Sequence, residues 1–144
     1  MAPKPVQRPG PPVLLGGSVE AALKRAGRLA AGWMSRSATD LSKIHEQIAT
    51  VRNAAEEAGK DPAAVRIVVR GVVQAGAEVR DDSGERARLS GSFEQIREDA
   101  AWLGEQGATE LFYDLNWDPL VGSPDVEPNA ATDRAQEILE ALAP

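Results

Sequence analysis

Four times along this chain, a short stretch of apolar or β-branched residues runs into a longer one whose apolar positions recur at steps of three and four. That repetition constrains the fold more than any other feature. Consecutive parallel strands need a helical crossover between them, and a sheet built that way needs helices on its faces. The first unit predicts a strand over 13–15 and a helix carrying Leu23, Ala26 and Ala30, with Ser18 as N-cap and Gly32 as the C′ residue. The second predicts a strand over 33–35, the polar turn "RSATD", and a helix with Leu41, Ile44, Ile48, Val51, Ala55 and Ala58 on one face. Gly59 and Pro62 stop it. Its four large apolar side chains contribute roughly 1.5–3 kcal/mol each on burial, so this face must pack on something.

The third unit holds the longest strand, over 66–73, where "RIVVRGVV" is dense in β-branched residues. A polar loop over 81–86 follows, and then "SFEQ" at Ser92 to Gln95, a capping-box pattern opening a helix with Phe93, Ile96, Ala100 and Leu103 on one face and Gly107 at its end. The fourth predicts a strand over 110–115 and, past Pro119, Gly122, Pro124 and Pro128, a helix with Ala131, Ala135, Ile138 and Leu142 in a stripe. The fold class is therefore α/β with about four parallel βα units. Because parallel strands end on one side, "GGS", "SRSAT", the segment after Val73 and "NWDP" should converge on one rim.

At 144 residues the chain has the size of one domain. Five prolines in its first twelve residues make 1–12 a lead-in segment, extended and unable to start a helix, ahead of a single domain over 13–144. A net charge of −6 with no basic block argues against a nucleic-acid partner. The absence of cysteine excludes disulfides and thiolate zinc sites, and His45, the one histidine, cannot build a metal set or a catalytic triad with a second. The apolar runs are far short of the roughly 18 residues a membrane span needs, and the N-terminus lacks an apolar signal region, so the expected location is cytoplasmic.

The expected rim supplies the candidates. Gly16 and Gly17 can turn sharply or let a ligand approach the backbone, and the first amides of the helix behind Ser18 suit an anion; spacing alone favours a plain strand–helix connection. Arg36 can grip a phosphate with a two-pronged guanidinium while Ser35, Ser37 and Thr39 add hydroxyls, or can be a solvated loop arginine. Asp114 and Asp118 can do acid/base chemistry or cap their loop. Arg70, inside an apolar strand, needs a partner or an opening to solvent. Trp33, Trp102 and Trp117 read as packing residues, with Trp117 the candidate pocket wall.

Several stretches resemble the luciferase-like monooxygenases and their deazaflavin-dependent oxidoreductase relatives: "PKPVQRPGPPVLLGGS", the alanine-rich helix leading to "AGW", "RNAAEEAGKDPAAVRIVVR" and "GSFEQIREDAAWLGEQGATELFYDLN". The resemblance covers nearly the whole chain and corresponds to the C-terminal half of such an enzyme. It departs at Ala31, where the family often has Asp before Gly-Trp. A (β/α)₈ barrel takes about 250 residues, so the resemblance implies a partial TIM-type barrel, a luciferase-like half-barrel over 13–144. It further implies FMN or the deazaflavin coenzyme (factor 420) at the strand C-terminal rim, a small-molecule substrate, and oxidoreductase or monooxygenase chemistry that needs the other half. Gly16, Gly17, Ser18, Ser35, Arg36, Ser37 and Thr39 are the cofactor-binding residues it implies. A non-catalytic half-barrel that only binds or assembles is the alternative. Half a barrel leaves two open sheet edges, at the first and last strands, and from these we expect a homo-oligomer.

Overall fold

The computed structural model describes residues 6–8, 10–37, 39–80 and 83–143. Parts of the lead-in segment and of the 81–86 loop lie outside the described residues. Four strands, β1 (Leu14–Gly16), β2 (Gly32–Met34), β3 (Arg66–Val72) and β6 (Glu110–Asp114), form one sheet in the order β1-β2-β3-β6, every pair parallel. Helices α1 (Glu20–Leu29), α2 (Ile44–Glu57), α3 (Phe93–Glu105) and α4 (Pro128–Leu142) alternate with them. Two strands unforeseen from sequence, β4 (Gln74–Ala75) and β5 (Ser90–Gly91), pair in parallel as a small second sheet between β3 and α3. This is the α/β, parallel arrangement of a half TIM-type barrel.

The register assigns each strand residue to a face. Leu15, Trp33, Ile67, Val69 and Tyr113 share one face, and the core on that side gathers Leu23 and Ala26 of α1, Ile48 and Val51 of α2, Ile96 and Leu103 of α3 and Ile138 of α4. Leu14, Met34, Val68, Arg70, Phe112 and Asp114 share the other. Val68 is buried and yet stands outside the helix-side core. One face of the sheet is therefore packed by helices, and the opposite face is open in the way the interior of a barrel would be if cut lengthwise.

Helix α1 sets the first strand pair. Gly27 brings it so close to α2 that a Cβ there would collide with the Val51 carbonyl oxygen. Two expectations at its ends are corrected. Ser18 is not the N-cap: Val19 holds that position without a side-chain cap, and its carbonyl accepts from the Ala22 and Leu23 amides, because Gly17 (φ +137°) has turned the chain one residue later. Gly32 is not a C′ glycine but the buried first residue of β2; the Lys60 ammonium donates to the Gly27 and Ala30 carbonyls and closes the helix end from across the fold. The first strand lies one residue later than expected and the second one earlier, while Val13 accepts from Ala31 and Ser35 donates to Val68 at their margins. Leu41–Lys43 is a 3₁₀ turn, with Asp40 accepting from the Ser42 amide, rather than the start of α2. The Ser92–Gln95 capping box forms as expected, both bonds present.

Candidate functional site

The residues expected on the rim do converge, in two groups. In the first, Gly17 ends the β1 turn, and its carbonyl accepts from the indole Nε1 of the fully buried Trp33 at 2.8 Å, which fixes the turn to the core. The exposed Arg36 reaches over this turn, Nη1 donating to Ser18 Oγ at 3.4 Å, while its backbone amide donates to Thr39 Oγ1 at 3.1 Å. Behind them α1 begins without a side-chain cap, so its first amides have no side-chain acceptor. Glu20, the acid of that first turn, is drawn away by Lys24 one helical turn on, and this contact holds its carboxyl below the ordinary value. Gly16 is the exposed last residue of β1.

The second group is a closed polar network at the ends of β2, β3 and β6. Asp114 is buried and accepts from Ser37 Oγ at 2.7 Å, Arg70 Nε at 2.9 Å, and Asn116 through its amide (3.2 Å) and Nδ2 (2.8 Å). Burial pushes its carboxyl up, but the bonds from Ser37, Asn116 and Arg70 together outweigh burial and hold it below the usual aspartate range. Ser35 Oγ accepts from the Arg70 amide at 2.8 Å, so this hydroxyl extends the β2–β3 ladder. Arg70 has the partner its place in an apolar strand required, and its guanidinium also lies over the Phe112 ring at 5.5 Å.

Asp118 caps its own loop, accepting from the Leu120 amide at 2.8 Å, and faces Arg134 of α4. Both aspartates therefore serve the loop rather than stand ready as an acid/base pair. Trp117 is 61% exposed and lines neither cavity described here, which corrects its reading as a pocket wall. His45 is exposed on α2.

A cavity of about 790 Å³ opens between the loop after β2 and residues 80 and 84–88; Ser37, Thr39, Arg80, Arg86 and Arg88 are on its wall, while Gly16, Gly17, Ser18, Ser35 and Arg36 are not. A second, of about 280 Å³, lies between the small sheet and the loop after β6. The segment forming the wall of the first is held by a residue that sequence reasoning missed. Asp99 of α3 is fully buried and accepts from Arg86 at 2.7 and 3.1 Å, Arg88 at 2.8 Å and the Leu89 amide at 2.8 Å. Burial raises its pKa, yet these bonds prevail and leave it below the ordinary value. Arg88 also stacks on Trp102, 4.2 Å from the ring centroid. A signal existed: Asp99 stands between Ile96 and Leu103 on the apolar stripe of α3, where a carboxylate requires buried partners.

Residues 1–119 match the family described as luciferase-like monooxygenase. No functionally curated protein matches the sequence. Among solved structures, the chain is similar to an F420-dependent secondary alcohol dehydrogenase captured with an F420–acetone adduct (TM-score 0.61, 16% identity, 92% of this chain and 49% of that one). It is also similar to the coenzyme F420-dependent tetrahydromethanopterin reductase of Methanopyrus kandleri (TM-score 0.62, 14% identity, 89% and 48%). At these identities the likeness is one of fold, and the chain spans about half the length of each. No described helix is long and apolar enough to cross a membrane.

Proposed function

The chain belongs to the luciferase-like monooxygenase family, and from that premise we propose that it is the cofactor-binding half of a flavin- or deazaflavin-dependent oxidoreductase acting on a small molecule. The observation that carries this reading is the pairing of an exposed Arg36 with the uncapped N-terminus of α1 across the Gly17 turn. Amides without a side-chain acceptor and a guanidinium beside one another suit a phosphate, and among the described residues a 3.4 Å contact to Ser18 is the one hydrogen bond of that guanidinium. The residues present fit the phosphate-bearing end of such a cofactor.

In this reading Gly16, Gly17 and Ser18 let the phosphate approach the backbone, Arg36 clamps it, and Thr39 holds the Arg36 amide in place. Ser35 and Ser37 support the clamp through the β2–β3 ladder and Asp114. A flavin or deazaflavin, when bound, supplies hydride transfer at its ring. The deazaflavin is the first candidate, supported by two F420-dependent structural relatives, and FMN the second. A second reading, a half-barrel that binds without catalysing, is favoured by the engagement of Asp114 and Asp118 with their own loops, which leaves neither poised for proton transfer.

Titration of the chain with coenzyme F420 and with FMN, followed by tryptophan fluorescence and by the retained chromophore after gel filtration, tests the proposal. Trp33 is a built-in reporter because its indole bonds the turn itself. We expect saturable binding of at least one cofactor; no retained chromophore and no fluorescence change with either would overturn it.

A further inference from the structure

The chain between β3 and α3 brings three arginines to the wall of the larger cavity, and their partners set one of them apart. Arg80 is paired with Glu78 at 2.7 Å and donates to the Gly84 carbonyl at 2.8 Å. Arg86 gives both terminal nitrogens to Asp99, and one of them also donates to the Ser90 carbonyl. Arg88 is held at one corner only. Its Nη1 donates to Asp99 at 2.8 Å and its guanidinium lies over the Trp102 ring at 4.2 Å, while Nε and Nη2 have no acceptor among the described residues. Those two nitrogens form one edge of the guanidinium, the fork that matches two oxygens of a carboxylate or phosphate.

The surroundings of Arg88 prepare it for such a group. Asp99 is a single buried carboxylate shared by two guanidiniums, so the trio of Asp99, Arg86 and Arg88 carries one positive charge in excess. Beside a protein interior that charge is screened less than it would be in open water, and an anion brought to it gains more. The bond to Asp99 and the contact with Trp102 also orient the guanidinium before any ligand arrives, which lowers the entropy cost of binding. Its side chain remains 39% exposed and so accessible. The loop after β2 adds a donor. Thr39 Oγ1 accepts from the Arg36 amide, and its own proton has no acceptor among the described residues. Of the acids on the wall, Asp40 accepts from the amide and hydroxyl of Ser42, and Glu85 is likewise not without a partner.

We propose that this cavity binds a small organic anion, its carboxylate or phosphate held by the free edge of Arg88 with Thr39 as a second donor. At about 790 Å³ the cavity has the size of a small-molecule pocket and is far larger than an inorganic ion requires. Leu41, Val72 and Ala87 supply apolar wall for the body of the molecule. Resting on the oxidoreductase reading, the inference makes the substrate of that reaction an anion. The substrate cavity and the cofactor clamp then share one loop, with Arg36 off the cavity wall and Thr39, bonded to the Arg36 amide, on it. The anion site itself stands on Arg88, Asp99 and Trp102 and needs no cofactor.

The test uses the whole chain, labelled with nitrogen-15 and free of cofactor. Its three tryptophans give three indole N–H signals, and the one lost in Trp102→Phe is the reporter beneath Arg88. The probes are pentanoate, butyl phosphate and the neutral 1-pentanol, titrated at neutral pH and constant ionic strength. At least one anion should move the Trp102 signal saturably, with a dissociation constant on the order of 1 mM for so small a probe, and pentanol should not. The tighter of the two anions identifies the group as carboxylate or phosphate. Arg88→Ala should weaken that binding by about tenfold or more, and Asp99 keeps its bonds from Arg86 and the Leu89 amide in this variant. Arg88→Lys keeps the charge without the fork and should weaken it by about fivefold. Arg28→Ala removes an equal charge from the exposed end of α1 and should change affinity by less than about twofold. Circular dichroism verifies that each variant folds. No saturable shift with either anion would overturn the proposal, as would an equal response to pentanol, full affinity in Arg88→Lys, or equal losses in Arg88→Ala and Arg28→Ala. Cofactor binding is read at the Trp33 signal instead, so failure of the cofactor reading and failure of this one are separately visible.

Discussion

Two arginines follow the ends of neighbouring strands and have opposite surroundings. Arg86, in the segment after β3, gives both terminal nitrogens to the buried Asp99, and one of them also donates to the Ser90 carbonyl. Arg36, after β2, is exposed and touches one hydroxyl at 3.4 Å. The first is spent on architecture: with Arg88 and the Leu89 amide it ties residues 86–89 onto α3, and Leu89, at φ +65°, fills the space over Gly71. The second has hydrogen-bonding capacity that the described residues do not use. Residue type is therefore a poor guide to function on this rim, and the state of the partners is a good one.

The sharpest way to break this contrast is at Asp99. Asp99→Ala should destabilise the chain by about 3–5 kcal/mol, because it strands two arginines that a buried carboxylate had satisfied, and denaturant unfolding measures it. Asp99→Asn should cost less, since an amide oxygen can still accept from the Leu89 N–H. Acid offers an independent reading. The folded-state pKa values of Asp99 and Asp114 are both lowered, so their contribution is complete above the unfolded aspartate value of about 3.9 and is lost as pH falls through the lower folded values. Asp99→Ala should flatten that acid-side loss; an unchanged stability-versus-pH curve would assign the excursion's anchorage elsewhere.

The same contrast explains what the sequence could reveal. The four βα units were legible because each rests on local periodicity, and the α3 start because Ser92 and Gln95 lie within one turn of each other. Gly32 was misplaced because the end of α1 is closed by the distant Lys60, which no local grammar includes, and Ser18 because the turn at Gly17 starts the helix one residue later. The β4–β5 pair has two residues per strand and so no period to detect. The rim positions themselves were legible, since strand polarity alone predicts them. Which rim side chains are already engaged was not, because Ser37 and Asp114 are 77 residues apart in sequence.

On the unspent side, Gly17→Val should weaken binding of the phosphate-bearing cofactor most. A β-branched residue is strained at φ +137°, and its Cβ would lie 2.6 Å from that of Ala22, so folding stability should also fall, by roughly 1–3 kcal/mol. Arg36→Ala should weaken cofactor binding by roughly 1.5–3 kcal/mol and leave stability within about 0.5 kcal/mol. Thermal melting with and without cofactor separates the two effects. Loss of stability in Arg36→Ala with no loss of binding would reverse the contrast.

Ser37 tests the boundary between the two classes, because it lines the larger cavity and is nonetheless engaged with Asp114. Its hydroxyl is one of four donors to that carboxylate, and the remaining three, from Arg70 and Asn116, persist in Ser37→Ala. The loss should therefore be at the low end for a bond to a charged group, about 1.5 kcal/mol. Removing a donor lets burial act more strongly on Asp114, so its folded pKa should rise toward the unfolded value. Acid unfolding of the variant should then begin at higher pH than in the unmodified chain, with stability near neutrality only slightly reduced. Cofactor affinity should stay within twofold, since a hydroxyl already donating to a buried carboxylate has no proton to offer a phosphate. A tenfold loss of affinity at unchanged acid sensitivity would move Ser37 to the binding side of the rim, beside Arg36, and would show that Asp114 releases it when a ligand arrives.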